Sequence, residues 1–242
     1  MVPKVTIVIP FYNDPYIDQA IRSALDQTYP NVEVVVVSDG ATEHLDKVKP
    51  FLSSIRFIRK ENGGTASAVN RGIREATGDY IAWLSSDDVY YPYKLERQMA
   101  YMLANQSRIC YTNFDRIDAT GTIFKYADGV MPRTTLEFYS IFLTGNPVNG
   151  CTVIMQRQLL FELGLYDEQL WLTHDFDLWY KVILNGIPFH CLNESLHKHR
   201  THDRMREISC AGQVQAEVHH LQAKYNDQVR AYIGHMRRIG AW

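Results

Sequence analysis

Length, composition and charge restrict the classes of protein to which this chain can belong. It has 242 residues, of which 46% are hydrophobic and 21% charged, and its formal net charge is −2. These values fit one large α/β domain, with or without a small appendage. They argue against nucleic acid as the main partner, because binding to a phosphate backbone needs a basic excess. The four cysteines form no CxxC pair, so we expect reduced thiols in a cytoplasmic protein.

The first third of the chain alternates short apolar runs with helical patterns. We predict four buried strands: Val5 to Ile9, Val32 to Val37, Ile55 to Arg59 and Tyr80 to Leu84. Asp14 and Pro15 are expected to start the first helix as N-cap and first helical residue. A helix after the third strand is expected over Thr65 to Ala76. Such an alternation predicts a parallel, doubly wound sheet.

Polar residues follow each predicted strand, where ligands of such sheets bind. We expect Pro10 and Tyr12 to line a nucleotide site, with Tyr12 stacking on a base, and Asp39 to accept a hydrogen bond from the base. Asn62 precedes two glycines that let backbone approach a ligand closely, and Arg71 could reach a phosphate. Taken singly, each has a structural alternative: a rim aromatic, a plain turn or a solvated helix face. No G-x-G-x-x-G or P-loop motif is present.

The fourth strand ends in two adjacent carboxylates, Asp87 and Asp88. Like charges this close raise each other's pKa, which favours a cation between them. A divalent metal that carries a diphosphate would satisfy this need, because hard cations bind carboxylate and phosphate oxygens. The alternative is a solvated turn that caps the following helix.

The second half no longer alternates regularly, which predicts a mixed sheet. We expect helices and strands at Tyr93 to Asn105, Ile109 to Asn113, Thr122 to Tyr126, Thr134 to Leu143 and Cys151 to Met155. No linker separates domains. We place one domain at residues 1–206, with a nucleotide-binding half at about 1–115 and an acceptor half at about 116–206. Residues 207–242 form a helical extension, for which packing, dimer formation and membrane-surface contact stay open.

Two further segments carry groups suited to catalysis and ligand binding. Asp175 begins an apolar-faced helix and is the candidate general base, with simple helix capping as the alternative. Three histidines and two cations lie within Leu196 to His202. We expect Arg200 to bind a diphosphate and His202 to bind a metal ion. The alternative is a mobile, solvated tail.

The order of the motifs resembles that of the family 2 glycosyltransferases with the GT-A fold, over about residues 4–204. The segments that carry this resemblance are VTIVIPFYN, VEVVVVSDG, ENGG with NRGI, GDYIAWLSSDDVYYPYKL, LYDEQLWLTHDFDLWYKV and HRTH. The resemblance implies inverting transfer from a nucleoside diphosphate sugar, often a uridine one, assisted by Mn²⁺ or Mg²⁺. It implies that Tyr12 and Asp39 bind the nucleotide base. Asp87 and Asp88 would bind the ribose-diphosphate and the metal, with Asp88 as the direct metal ligand. Asp175 would be the general base, and His202 would complete the metal shell.

Three positions depart from the family pattern. Ser38, Ser85 and His174 stand where the family often has Asp, Asp and Glu. A Gln-x-x-Arg-Trp signature is absent, so we expect one sugar per encounter. The expected partners are a UDP-linked donor and a carbohydrate, lipid-linked or protein acceptor. Two rival functions remain: a non-catalytic nucleotide-sugar-binding protein and a sugar-nucleotide nucleotidyltransferase, although Pro10 to Asn13 is not the Gly-rich basic loop that the latter would carry.

Overall fold

The structure is a computed structural model that describes residues 2–203, 205 and 209–240. Within these residues nine strands form one sheet: β1 (Val5–Phe11), β2 (Val32–Asp39), β3 (Arg56–Lys60), β4 (Tyr80–Trp83), β5 (Val89–Tyr90), β6 (Ile109–Ile117), β7 (Ile123–Lys125), β8 (Ile154–Gln156) and β9 (His190–Arg200). The α-helices are α1 (Ile17–Leu25), α2 (Leu45–Val48), α3 (Gly64–Glu75), α4 (Lys94–Ala104), α5 (Thr135–Ile141), α6 (Arg157–Glu162), α7 (His174–Leu184) and α8 (Ala211–Ile239).

The sheet has a parallel half and a mixed half, as the sequence predicts. Its strand order is β3-β2-β1-β4-β8-β6-β9-β5, with β7 paired to β6. The first four strands run parallel, whereas β8 is antiparallel to both β4 and β6. The parallel half is therefore formed by the segments in which apolar runs alternate with helices, because parallel neighbours need a crossover between them.

Both faces of the parallel half are covered. Side chains alternate across a strand, so Val8 and Val35 pack on one face with α3 and α7, while Ile7 and Val34 pack on the other with α1 and α4. This double burial explains why the strands are unbroken apolar runs.

The first helix begins later than predicted. Tyr16, not Asp14, is the N-cap residue of α1. Asp14 instead uses its Oδ1 to accept a hydrogen bond from the backbone N–H of Tyr16, at 2.8 Å, which closes a turn ahead of the helix. The carboxylate of Asp14 is therefore placed beside the strand ends.

The histidine-rich segment is a strand, so the alternative of a mobile tail is wrong. Residues 190–200 form β9, which runs parallel to β6, and its other edge pairs with β5, a two-residue strand that the sequence pattern did not predict. His197 and Arg200 are fully buried there. The last predicted strand of the acceptor half is also displaced: a 3₁₀ turn occupies Gly150–Thr152, and β8 begins at Ile154.

The C-terminal helix packs on the main core. Four of its side chains, Leu221, Tyr225, Val229 and Ile233, are buried in the cluster that also contains α7. The start predicted at Glu207 and the two last residues lie outside the described residues. None of the described helices is long and apolar enough to cross a bilayer.

Candidate active site

A cavity of about 420 Å³ opens where β1, β2 and β4 end. Its walls come from the loop after β1, the end of β2, the start of α3, the turn after β4, the segment before α7 and the region after β9. The convergence of strand ends predicted from the sequence is thus present in the fold.

Five of the predicted site residues line this cavity: Pro10, Tyr12, Asp39, Asp87 and His202. Tyr12 is 46% exposed, so its ring is accessible to a ligand. The other five predicted site residues do not line the cavity, and each is held in its position by different contacts. They are Asn62, Arg71, Asp88, Asp175 and Arg200.

Asp39 joins the end of β2 to the start of α3. Its Oδ1 accepts from Lys60 Nζ at 2.6 Å and from Gly63 N at 3.0 Å, and its Oδ2 accepts from Gly64 N at 2.9 Å. The carboxylate therefore caps α3 from a neighbouring strand. Asn62 supports the same corner by donating from Nδ2 to the Asp39 carbonyl oxygen at 3.0 Å. A carboxylate oxygen can accept more than one hydrogen bond, and Oδ2 of Asp39 accepts one from Gly64.

Asp87 and His202 form a hydrogen-bonded pair at the cavity wall. His202 Nε2 lies 3.1 Å from Asp87 Oδ2, and this hydrogen bond raises the pKa of the imidazole. The Tyr16 ring lies beside His202, with 5.5 Å between the ring centroids. One carboxylate and one imidazole from segments more than a hundred residues apart thus meet in the cavity.

Asp14 is a further titratable group in the cavity, and the sequence reasoning missed its role there. Its Oδ2 accepts a hydrogen bond from Ser86 Oγ at 3.1 Å. Burial and the nearby Asp87 carboxylate raise the pKa of Asp14 to about 6. The available signal was its position in the same strand-end loop as Tyr12, but the Asp-Pro pattern favoured a helix cap.

Asp88 is buried and does not line the cavity, and its expected role as the direct metal ligand stays a prediction. Its Oδ1 accepts from Arg200 N at 2.8 Å, and its Oδ2 lies 2.9 Å from His197 Nε2 and 3.4 Å from His199 Nδ1. Burial alone would raise the pKa of Asp88, but His199 and His197 outweigh it and hold the pKa well below the usual range. The two adjacent carboxylates therefore have different surroundings: Asp87 lines the cavity, whereas Asp88 lies in a buried cluster with two histidines.

Asp88 also belongs to a buried group with Cys151 and His197, whose potential ligand atoms lie within 4.8 Å of one another. Burial and Asp88 raise the pKa of the Cys151 thiol well above its ordinary value. Because a thiol must lose its proton to bind a metal, Asp88 and His197 are the members of this group that could bind an ion without that step.

The two arginines predicted to bind phosphate have structural contacts. Arg71 lies on the outer face of α3 and pairs with Glu75 at 3.0 Å. Arg200 is fully buried, and its guanidinium donates to the Asp87 carbonyl oxygen at 2.7 Å and to Gln19 Oε1 at 2.7 Å. Its guanidinium also stacks on the Tyr16 ring at 4.2 Å. Arg200 therefore fixes the backbone that presents Asp87.

Asp175 lies in the first turn of α7, directly after the cavity-lining His174. Its Oδ1 accepts from its neighbour Phe176 N at 2.7 Å, and its Oδ2 accepts from Asn146 Nδ2 at 3.2 Å. Burial lowers the pKa of His174 to about 4, so the imidazole beside Asp175 is neutral at physiological pH. Helix and loop together hold the carboxylate next to the cavity wall.

The comparison with protein families agrees with this geometry. Residues 6–164 match the profile of the family described as "Glycosyl transferase family 2". The chain belongs to that family. This match confirms the family assignment that the order of strand-end motifs suggests.

Family 2 relatives and solved structures cover most of the chain. It is 40% identical over 208 residues to a protein of Rickettsia felis named "Uncharacterized glycosyltransferase", a match that covers 83% of this chain and 34% of that protein. A Rickettsia typhi protein of similar name is 36% identical over 220 residues, which cover 88% of this chain and 69% of that protein. The chain thus spans about a third of the length of one relative and about two thirds of the other.

The fold has a close counterpart among solved structures. S. aureus TarS 1-349 in complex with UDP-GlcNAc superposes with a TM-score of 0.70 at 19% identity, over 93% of this chain and 72% of TarS 1-349. The predicted GT-A fold, with its mixed second half and C-terminal helix, is confirmed.

Proposed function

We propose that this chain transfers a sugar from a UDP-linked donor to an acceptor hydroxyl, with inversion at the anomeric carbon. The observation that carries the proposal is the meeting of Asp87 and His202, 3.1 Å apart, in the cavity that Tyr12 and Asp39 also line. One end of the cavity suits a base and the other suits a metal-bridged diphosphate. A cavity at parallel strand ends is where this fold class binds nucleotides.

The donor set fits a divalent cation. Asp87 supplies a carboxylate oxygen and His202 an imidazole nitrogen, and Asp14 adds further negative charge nearby. Such a set suits Mn²⁺, which accepts both nitrogen and oxygen ligands, and also Mg²⁺ with fewer protein ligands. When bound, the ion would neutralise the departing diphosphate. The protein's own part is to hold Asp87 through Arg200, so that the carboxylate keeps its place.

The base end of the cavity has the matching chemistry. Tyr12 offers an accessible ring for stacking, and Asp39 offers an acceptor oxygen that the caps of α3 hold in place. The solved complexes of TarS with UDP and with UDP-GlcNAc, which share this fold, support a uridine donor.

Asp175 is the proposed general base. An inverting transfer needs one group that removes the acceptor proton as the hydroxyl attacks. Asp175 suits this role because α7 and Asn146 orient it beside the cavity wall formed by His174.

All four cysteines are free thiols, which agrees with the cytoplasmic compartment that we propose.

The test is UDP release from a panel of UDP-sugars with Mn²⁺ and candidate acceptors. Asp175→Asn should abolish transfer while UDP-sugar affinity, measured by calorimetry, changes little. Asp227→Asn removes an exposed carboxylate of α8 and serves as the control. Persistent transfer by the Asp175→Asn variant would exclude Asp175 as the base.

A second candidate function is a non-catalytic nucleotide-sugar-binding protein. It is favoured by Ser85 and His174, which replace acidic residues common in the family. Tight binding of UDP-sugars by the wild-type chain, without release of UDP to any acceptor, would support this candidate and contradict the transferase.

A further inference from the structure

A carboxylate of the C-terminal helix reaches the segment in front of α7. Glu217 Oε1 accepts from Trp171 N at 3.2 Å, and Oε2 accepts from Leu172 N and Thr173 N, both at 3.0 Å. Oε2 also accepts from Thr173 Oγ1 at 2.9 Å. One side chain thus satisfies three consecutive backbone N–H groups in the segment that ends at Thr173, the N-cap residue of α7.

This segment is part of the cavity wall. Trp171 and Leu172 line the cavity together with His174. The Trp171 indole packs over Gly64, because a Cβ placed on Gly64 would lie 3.6 Å from Trp171 Cε3. The segment that Glu217 holds therefore joins the start of α3, next to Asp39, to the first turn of α7.

A second polar link between α7 and α8 does not touch this wall. Asp177 Oδ1 accepts from Tyr225 Oη at 2.7 Å and from Lys224 Nζ at 3.2 Å. Asp177 is fully buried and lies within α7 itself. The two links have different consequences: one fixes the helix body against α8, and the other fixes the cavity wall and the start of the helix.

We propose that Glu217 is a positioning residue of the active site, which sets the place of Asp175 by fixing residues 171–173 and the start of α7. The proposal rests on the proposed function of Asp175. Glu217 lies beyond residues 6–164, the part that matches the family profile. The C-terminal helix is then a working part of the catalytic site in this chain as well as a packing element.

Glu217 acts on the position of Asp175 through its hydrogen bonds to residues 171–173. Without Glu217, the three N–H groups have to find water, and the segment can move away from the cavity. Asp175 follows in the next residues of the chain, so its carboxylate moves with the segment. A displacement of about 1 Å at a catalytic group lowers a rate on the order of a hundredfold.

The experiment compares four variants of the full chain with the wild type. Glu217→Ala removes the four hydrogen bonds to residues 171–173, whereas Glu217→Gln can place its amide oxygen at the Oε2 position and keep those to Leu172 and Thr173. Tyr225→Phe removes the hydroxyl that binds Asp177 and is the control for general destabilisation. Asp227→Asn is the control for loss of a charge on α8. Each is measured for melting temperature, UDP affinity, kcat and KM.

We expect Glu217→Ala to lower kcat by about tenfold or more when the assay temperature is well below the melting temperature of the variant. Its UDP affinity should change little. Glu217→Gln should recover part of the rate. Tyr225→Phe should lower the melting temperature and leave kcat unchanged. A rate loss in Tyr225→Phe as large as in Glu217→Ala, or a wild-type rate in Glu217→Ala, would overturn the positioning role alone. A wild-type chain that releases no UDP would overturn the proposed function, and this role with it.

Discussion

Substitution of Asp14 by Asn should stabilise the metal-free protein at neutral and alkaline pH. In the fold, burial and Asp87 raise the pKa of Asp14 from its ordinary 3.8 to about 6. A carboxyl whose folded pKa is raised holds its proton more tightly in the native state than in the unfolded chain. Its contribution therefore opposes folding once the pH exceeds 3.8, and the penalty is complete above pH 6.

The size of the effect follows from the two pKa values. The difference between 3.8 and about 6, at about 1.4 kcal/mol per pH unit, corresponds to about 3 kcal/mol. Asp14 keeps some exposure to solvent, so we expect a gain of about 1–3 kcal/mol. An Asn side chain can keep both existing contacts, because its oxygen accepts from Tyr16 N and its amide donates to Ser86 Oγ.

The assay is denaturant unfolding in the presence of a chelator at pH 8 and pH 4.5. The free energy of unfolding of Asp14→Asn should exceed that of the wild type at pH 8, and the gain should fall to about a third at pH 4.5. Asp26→Asn, at the other end of α1, controls for the loss of one exposed charge. An equal gain at both pH values, or none at pH 8, would refute the electrostatic reasoning.

Three further predictions concern Asp87, Asp88 and Gly150. Asp87→Asn should weaken Mn²⁺ binding, measured by calorimetry, with little change in melting temperature. Asp88→Asn should instead reduce stability by about 3 kcal/mol or more, because it disrupts a buried ionic cluster; strong loss of Mn²⁺ affinity at unchanged stability would reverse the roles assigned to the two carboxylates. Gly150→Ala should destabilise the fold by about 1–3 kcal/mol, since the new Cβ would overlap the Trp83 ring. Thermal melting checks this, and an unchanged melting temperature would contradict it.

Local signals in the sequence were sufficient for the parallel half. The runs at Val5 and Val32 are apolar on both faces, and a strand covered on both faces belongs in a parallel sheet with helices on either side. Convergence of their ends then follows from topology alone. The helix starting near Gly64 and the helix after Pro92 follow from the same local patterns, with shifts of one or two residues at their ends.

The second half needed information that a local pattern does not hold. Whether residues 190–200 form a strand depends on pairing with β6, about eighty residues earlier in the chain. The strand β5 has only two residues and exists because β9 lies beside it. Elements this short carry too little periodicity to be recognised before the pairing is known.

The sequence by itself determined the parallel half of the sheet and the edge at which its polar strand-end residues converge. Only the tertiary structure separated the surroundings of the two adjacent carboxylates. Asp88 is turned into the cluster of His197 and His199, more than a hundred residues away, and Asp87 remains at the cavity with His202. The same holds for Glu217, whose contact with residues 171–173 depends on how α8 packs. These contacts join residues that are far apart in the chain, and local sequence patterns do not show which distant residues meet.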